Sequence, residues 1–118
     1  MRLKKPTMSE SIHLSNGNSV QFDRENWKGM ASQECDCLTA TGRNITPRLA
    51  VLRHTDGRVL VFATVNDGQK MSAAGGELLT SQEPKPLAAA LGRLAAQFSR
   101  GPFLLKQCLS QIESRPVV

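Results

Sequence analysis

Apolar and polar residues alternate along the first half of the chain, the period-two signature of half-buried strands. Ile12 and Leu14, then Val20 and Phe22, flank Asn16-Gly17-Asn18 and predict a first hairpin over residues 11–22. A three-residue loop, Asn16 to Asn18, pairs Leu14 with Val20 and Ile12 with Phe22. That keeps all four on one face, where a one-residue slip would separate them. Asn18 then takes the left-handed conformation, which asparagine tolerates. From Asp23 to Glu34 the alternation is lost. Trp27 and Met30 stand three apart with Gly29 between them, which reads as one helical turn or an ordered loop. Cys35 to Thr41 predicts a further strand, leaving through Gly42-Arg43-Asn44.

The strongest pattern lies in the middle. Arg48–His54 and Arg58–Val65 are β-rich runs joined through Asp56-Gly57, the preferred sequence of a two-residue hairpin turn. That turn sets Val51 against Phe62, Leu52 against Val61 and Arg53 against Leu60. One face then carries Ala50, Leu52, Val59, Val61 and Ala63, and the other Leu49, Val51, Leu60 and Phe62. Strands apolar on both faces belong in the middle of a covered sheet. A turn at Asn66-Asp67-Gly68 leads to a short edge strand over Gln69–Ala73, which Gly75-Gly76 breaks.

Beyond residue 81 the period changes. Leu87, Leu91, Leu94 and Phe98 fall at i, i+4, i+7 and i+11 and predict a helix over about 86–99. Gly101-Pro102 separates it from a second helix over about 102–114, whose stripe is Leu105, Cys108, Leu109 and Ile112. Strands first and helices after define an α+β layout: an antiparallel sheet of about five strands followed by two C-terminal helices. The organisation expected is a basic extension over residues 1–10, one domain over 11–114 and a tail at 115–118.

Length and composition narrow the class. The 118 residues suit one domain with a core of its own, and 40% hydrophobic with 21% charged residues excludes a disordered or collagen-like chain. No apolar run reaches the 18 residues of a spanning helix. The basic start, Met1 to Lys5, precedes polar Ser9-Glu10-Ser11 instead of the apolar stretch of a signal peptide. Three cysteines do not make a disulfide framework. The expectation is a cytoplasmic protein without a membrane partner.

No catalytic or cofactor motif stands out, so the chain is expected to be neither an enzyme nor a cofactor or metal protein. Cys35-Asp36-Cys37 has one residue between thiols, where zinc knuckles use two to four and redox pairs two. A lone pair on one strand face reads as small buried apolar side chains. His13 and His54 lie in different hairpins. There is no G-x-S-x-G elbow and no phosphate-binding glycine loop.

Fifteen Lys and Arg against ten Asp and Glu leave a net charge of +5. The excess is diffuse: nine bases against six acids in residues 1–58, and six against four afterwards. Arg43, Arg48, Arg53 and Arg58 recur every five residues, so on a pleated strand Arg48 and Arg53 take opposite faces. In the two-residue-turn register Arg53 and Arg58 share one. With Trp27 flanked by Arg24 and Lys28, these residues suggest phosphate contacts and one base-stacking ring. The candidate nucleic-acid-binding set is therefore Arg24, Trp27, Lys28, Arg43, Arg53 and Arg58.

The central hairpin, the turn at Asp67-Gly68, the segment Gly76–Thr80 and the following helix resemble, in element order, single-stranded-DNA-binding domains of the transcriptional-coactivator type. The resemblance covers residues 48–98 and implies nucleic-acid binding by the sheet. The chain departs from it in lacking basic residues between Val59 and Val65 and in adding a second helix. Two function classes follow: a small non-catalytic nucleic-acid-binding protein, and a protein-interaction module acting as inhibitor, adaptor or accessory factor through exposed strand edges. A sheet apolar on both faces with helices on one also predicts a homodimer through the uncovered face.

Overall fold

The computed structural model describes residues 10–22, 25–39 and 41–113. The elements are β1 (Glu10–His13), β2 (Ser19–Phe22), β3 (Trp27–Glu34), β4 (Cys37–Leu38), β5 (Asn44–His54), β6 (Val59–Asn66), β7 (Met71–Leu79), α1 (Pro84–Ala95) and α2 (Gly101–Glu113). They make the expected α+β arrangement. β3, β5, β6 and β7 form an antiparallel sheet in that order, β4 adds to β5 beside β3, and β1 and β2 form a separate hairpin. The expected extension and tail lie outside the described residues, except that Glu10 already belongs to β1.

The first and central hairpin registers both differ from those expected of their turns. The His54 N–H bonds to Arg58 O at 2.8 Å and the Gly57 N–H to His54 O at 3.0 Å, so the loop is Thr55-Asp56-Gly57. Three residues, with Gly57 at φ +100, replace the expected two. A left-handed glycine closing a three-residue loop is the standard way to restore strand twist after a tight turn. The consequence is a one-residue slip: Leu52 faces Leu60, Val51 faces Val61 and Arg53 faces Val59. The first hairpin uses the same device. Leu14 pairs with Asn18, Gly17 rather than Asn18 is left-handed (φ +93), and Ile12 faces Val20.

The slip decides which residues share a core. Leu49, Val51, Val59, Val61 and Ala63 form one face and pack against Leu87, Leu91 and Leu94 of α1 and Leu104 and Cys108 of α2. Leu52, Leu60, Phe62 and Leu78 form the other, covered at one end by Ile12, Leu14 and Val20 of the β1–β2 hairpin and by Trp27. The second apolar face thus has an intramolecular cover over part of its area.

Residues 27–34 are a strand, not a helical turn. The lost alternation has a local cause: a bulge between Gly29 and Ala31 inserts Met30 and re-phases the strand, with Gly29 opposite Leu52 and Ala31 opposite Val51. Nor do Gly75 and Gly76 end the last strand. β7 runs through them to Leu79, with an irregularity opposite Phe62–Thr64. A Cβ at Gly75 (φ +113) would come within 2.9 Å of Leu94 Cδ2 and 3.0 Å of Ser15 Oγ, so helix and hairpin tip both close on this point. The strand expected over 35–41 shrinks to Cys37–Leu38.

Proline starts α1, but at Pro84 rather than Pro86, and Phe98 packs on the core from just beyond its end. In α2 the buried line is Leu104 and Cys108, both fully buried, while Leu105, Leu109 and Ile112 flank it half-buried. One turn on, Gln111 closes the sheet edge. Its Oε1 accepts the Ser32 N–H and its Nε2 donates to Ser32 O, both at 2.9 Å. A side-chain amide thus stands in for a neighbouring strand. Gln111→Ala should lower stability by about 1–2 kcal/mol, two hydrogen bonds' worth, in urea unfolding. An unchanged midpoint would refute the role.

Candidate functional site

The six residues expected to contact nucleic acid do not converge. Arg24 lies outside the described residues. Trp27 is 4% exposed, its ring edge-on to His54 with centroids 4.8 Å apart, and the Arg58 guanidinium lies 5.7 Å from its centroid. A ring enclosed this way has no free face for a base. Arg58 is committed as well: its Nε donates to Asp56 at 2.9 Å, across the loop it closes. The Arg58 side chain, with help from the Arg58 backbone N–H, holds the Asp56 carboxyl below its ordinary range. Arg53 and Arg58 end on opposite faces because of the register slip, Arg53 on the helix side beside Val59.

What does come together is Lys28 and Arg53, directly opposite each other in β3 and β5. Both are exposed, and neither forms an ion pair among the described residues. Arg43 is at the far end of β5, 3.5 Å from Asp67. Asp67 is itself held low by the backbone N–H groups of Gln69 and Lys70.

The cysteines do not assemble a metal centre. Among the described residues no three His, Cys, Asp or Glu side chains gather. Cys108 is fully buried and its thiol points to Leu49 O at 3.7 Å. Burial alone pushes its pKa up to about 11. The thiolate is the reactive form, so at pH 8 only about one Cys108 in a thousand carries it. Iodoacetamide should therefore modify half-buried Cys35 well before Cys108 in the folded protein, read by peptide mass spectrometry. Equal rates would contradict the packing.

A broad concave feature lies elsewhere, on the sheet face away from the helices. The β1–β2 hairpin covers only part of that face and leaves an open groove of about 760 Å³ beside it. Ala50, Leu52 and Phe62 form its floor, Ile12 and His13 a wall, and Met71 and Ala73 the far bank on β7. Met71 is 57% exposed. Arg48 is the one Lys, Arg, Asp or Glu among the described lining residues, and its Nε donates to Ser32 Oγ at 2.8 Å. Glu34 lies opposite Arg48 in register but makes no ion pair with it.

The odd spacing of the arginines correctly separates Arg48 from Arg53, but nothing local marks Arg48 as the one beside a groove. The available signal was an arginine midway along a strand, ahead of the apolar run Leu49–Leu52. No helix among the described residues is long and apolar enough to cross a membrane. Compared with known protein families, curated proteins and solved structures, the chain shows no match.

Proposed function

We propose that this chain is a non-catalytic binding module that docks an extended apolar segment of a protein partner on its sheet face. The observation that carries the reading is the open groove of about 760 Å³ with an apolar floor. Concave apolar surface with a few placed polar groups is the usual form of a binding site. An exposed apolar patch on a small protein commonly marks an interaction site.

The sheet edges favour the face over strand addition. The outward backbone groups of Ser32 are bonded to Gln111, those of Gly76 to Ser15, and Ala74 O to Gln97. A partner strand at those points would have to displace them. Ala73→Trp, on an exposed strand position opposite Thr64, should fill the groove without touching the core. Peptides selected from a random display library on the wild-type protein should lose most of their binding to Ala73→Trp. Equal binding by both proteins would end the proposal.

One observation favours nucleic acid as a second reading: the Lys28–Arg53 couple, without an ion pair among the described residues, on a chain of net charge +5. Phosphate contacts of that kind give affinity that falls steeply with salt. Anisotropy of a labelled single-stranded oligonucleotide should then show a shallower salt slope for Lys28→Ala/Arg53→Ala. Absence of binding at low salt would remove this reading.

A further inference from the structure

We infer that the groove selects a partner segment carrying a carboxylate, an Asp or Glu set among apolar residues, and that Arg48 is the residue that reads it. The inference rests on the docking reading above and adds the chemistry of the occupant.

Arg48 stands midway along β5, on the same face as Ala50 and Leu52, with Glu34 its cross-strand partner in β3. Its position follows from the register: even-numbered residues of β5 point away from the helices, so Arg48 stands exposed on the face that carries the groove and takes part in its lining. Its Nε is oriented by Ser32 Oγ, which leaves the terminal nitrogens without an ion pair among the described residues. A guanidinium anchored through Nε presents its remaining N–H groups as a fork that matches a carboxylate. The apolar floor beside it lowers the local dielectric, which strengthens such a pair once an occupant excludes water.

Among the described residues, neither His13 nor Glu34 forms an ion pair with Arg48. His13 on the wall is turned to Ser19, with Nδ1 3.0 Å from its Oγ. Glu34, the acid opposite, is exposed and outside the lining. A cationic or purely apolar segment would meet an unpaired arginine at the groove, which disfavours both. The groove is open rather than enclosed, which suits a length of chain better than a small molecule whose surface must be mostly buried.

The test is a charge swap. Random heptapeptides displayed on phage are selected in parallel on the wild-type protein, Arg48→Glu and Ala73→Trp, each first shown to melt like the folded parent. Selection on wild type should enrich Asp or Glu at one position among apolar residues. Selection on Arg48→Glu should replace that acid by Lys or Arg, and synthetic acidic peptides should bind Arg48→Glu at least tenfold more weakly. Apolar peptides without a preferred acid, bound equally by wild type and Arg48→Glu, would overturn the role of Arg48 while leaving the groove a docking site. No enrichment on wild type beyond that on Ala73→Trp would overturn both.

Discussion

Gly101→Ala should destabilise the protein by about 3 kcal/mol, at the upper end of overpacking costs, and lower its melting temperature by about 10 °C. Gly101 opens α2 and lies against the end of α1. A Cβ there would fall inside van der Waals contact with Ala95 O and stand 2.7 Å from the Ala95 carbonyl carbon. Both are backbone atoms and cannot rotate away. Ala95 O also accepts the Phe98 N–H at 3.0 Å, and the Gly101 N–H donates to Phe98 O at 3.0 Å, so a shift would disturb the whole connection. Leu104, fully buried one turn later, depends on the same alignment. Gly92→Ala is the matching control. It lies within α1, where a new Cβ meets Leu105 at 4.0 Å, an ordinary contact. That change should stabilise by about 0.5–1 kcal/mol, since glycine within a helix is costly. Urea unfolding of the two variants should move in opposite directions. A shift of the same sign in both would show that close packing at residue 101 is not the cause.

Trp27→Ala should cost about 4 kcal/mol, the range for removing a buried large aromatic. Trp27 joins Val20 and Leu60 in the core of the second sheet face. Its ring also supports His54 edge-on and lies under the Arg58 guanidinium. Truncation would open a void between the β1–β2 hairpin and the sheet, so loss of hairpin protection in hydrogen exchange should accompany the fall in stability. A stacking residue on an open binding surface would behave differently. Its removal would leave the unfolding midpoint within about 0.5 kcal/mol of the parent, as surface substitutions do. That outcome would sink the core assignment and return Trp27 to the candidate binding residues.

The contrast between these two positions shows where local reading ends. Leu87, Leu91 and Leu94 share a stripe because the helical period is written into their spacing, and all three are buried as expected. Trp27 sits in a segment whose period is broken by the Met30 bulge, so a strand looked like a turn. Gly75 and Gly76 looked like breakers, whereas they are the points where α1 and the β1–β2 hairpin press on β7. Glycine ends elements and also permits close approach, and only the neighbours distinguish the two. The candidate site was less legible still. Of the residues chosen for their charge, Lys28 and Arg53 come together, Arg58 is bound to Asp56, and Arg43 lies just before the start of β5, at the end away from Arg53. The groove draws on five strands, β1, β3, β5, β6 and β7, distant in sequence, so no local pattern could have outlined it.

By itself the amino-acid sequence determined the strands-then-helices order and most element types: alternating runs that must be strands, two helical stripes, and a central hairpin apolar on both faces. Those properties depend on period and composition, which are local. The tertiary structure decided the rest. Three-residue loops closed by left-handed Gly17 and Gly57 shifted the registers by one residue or more. In the central hairpin, the slip brought Leu60 and Phe62 onto the face that Arg48, Ala50 and Leu52 share, away from the helices. Which face the helices took, and how much of the other the β1–β2 hairpin could cover, depended on contacts between segments far apart in the chain. The uncovered remainder is the groove.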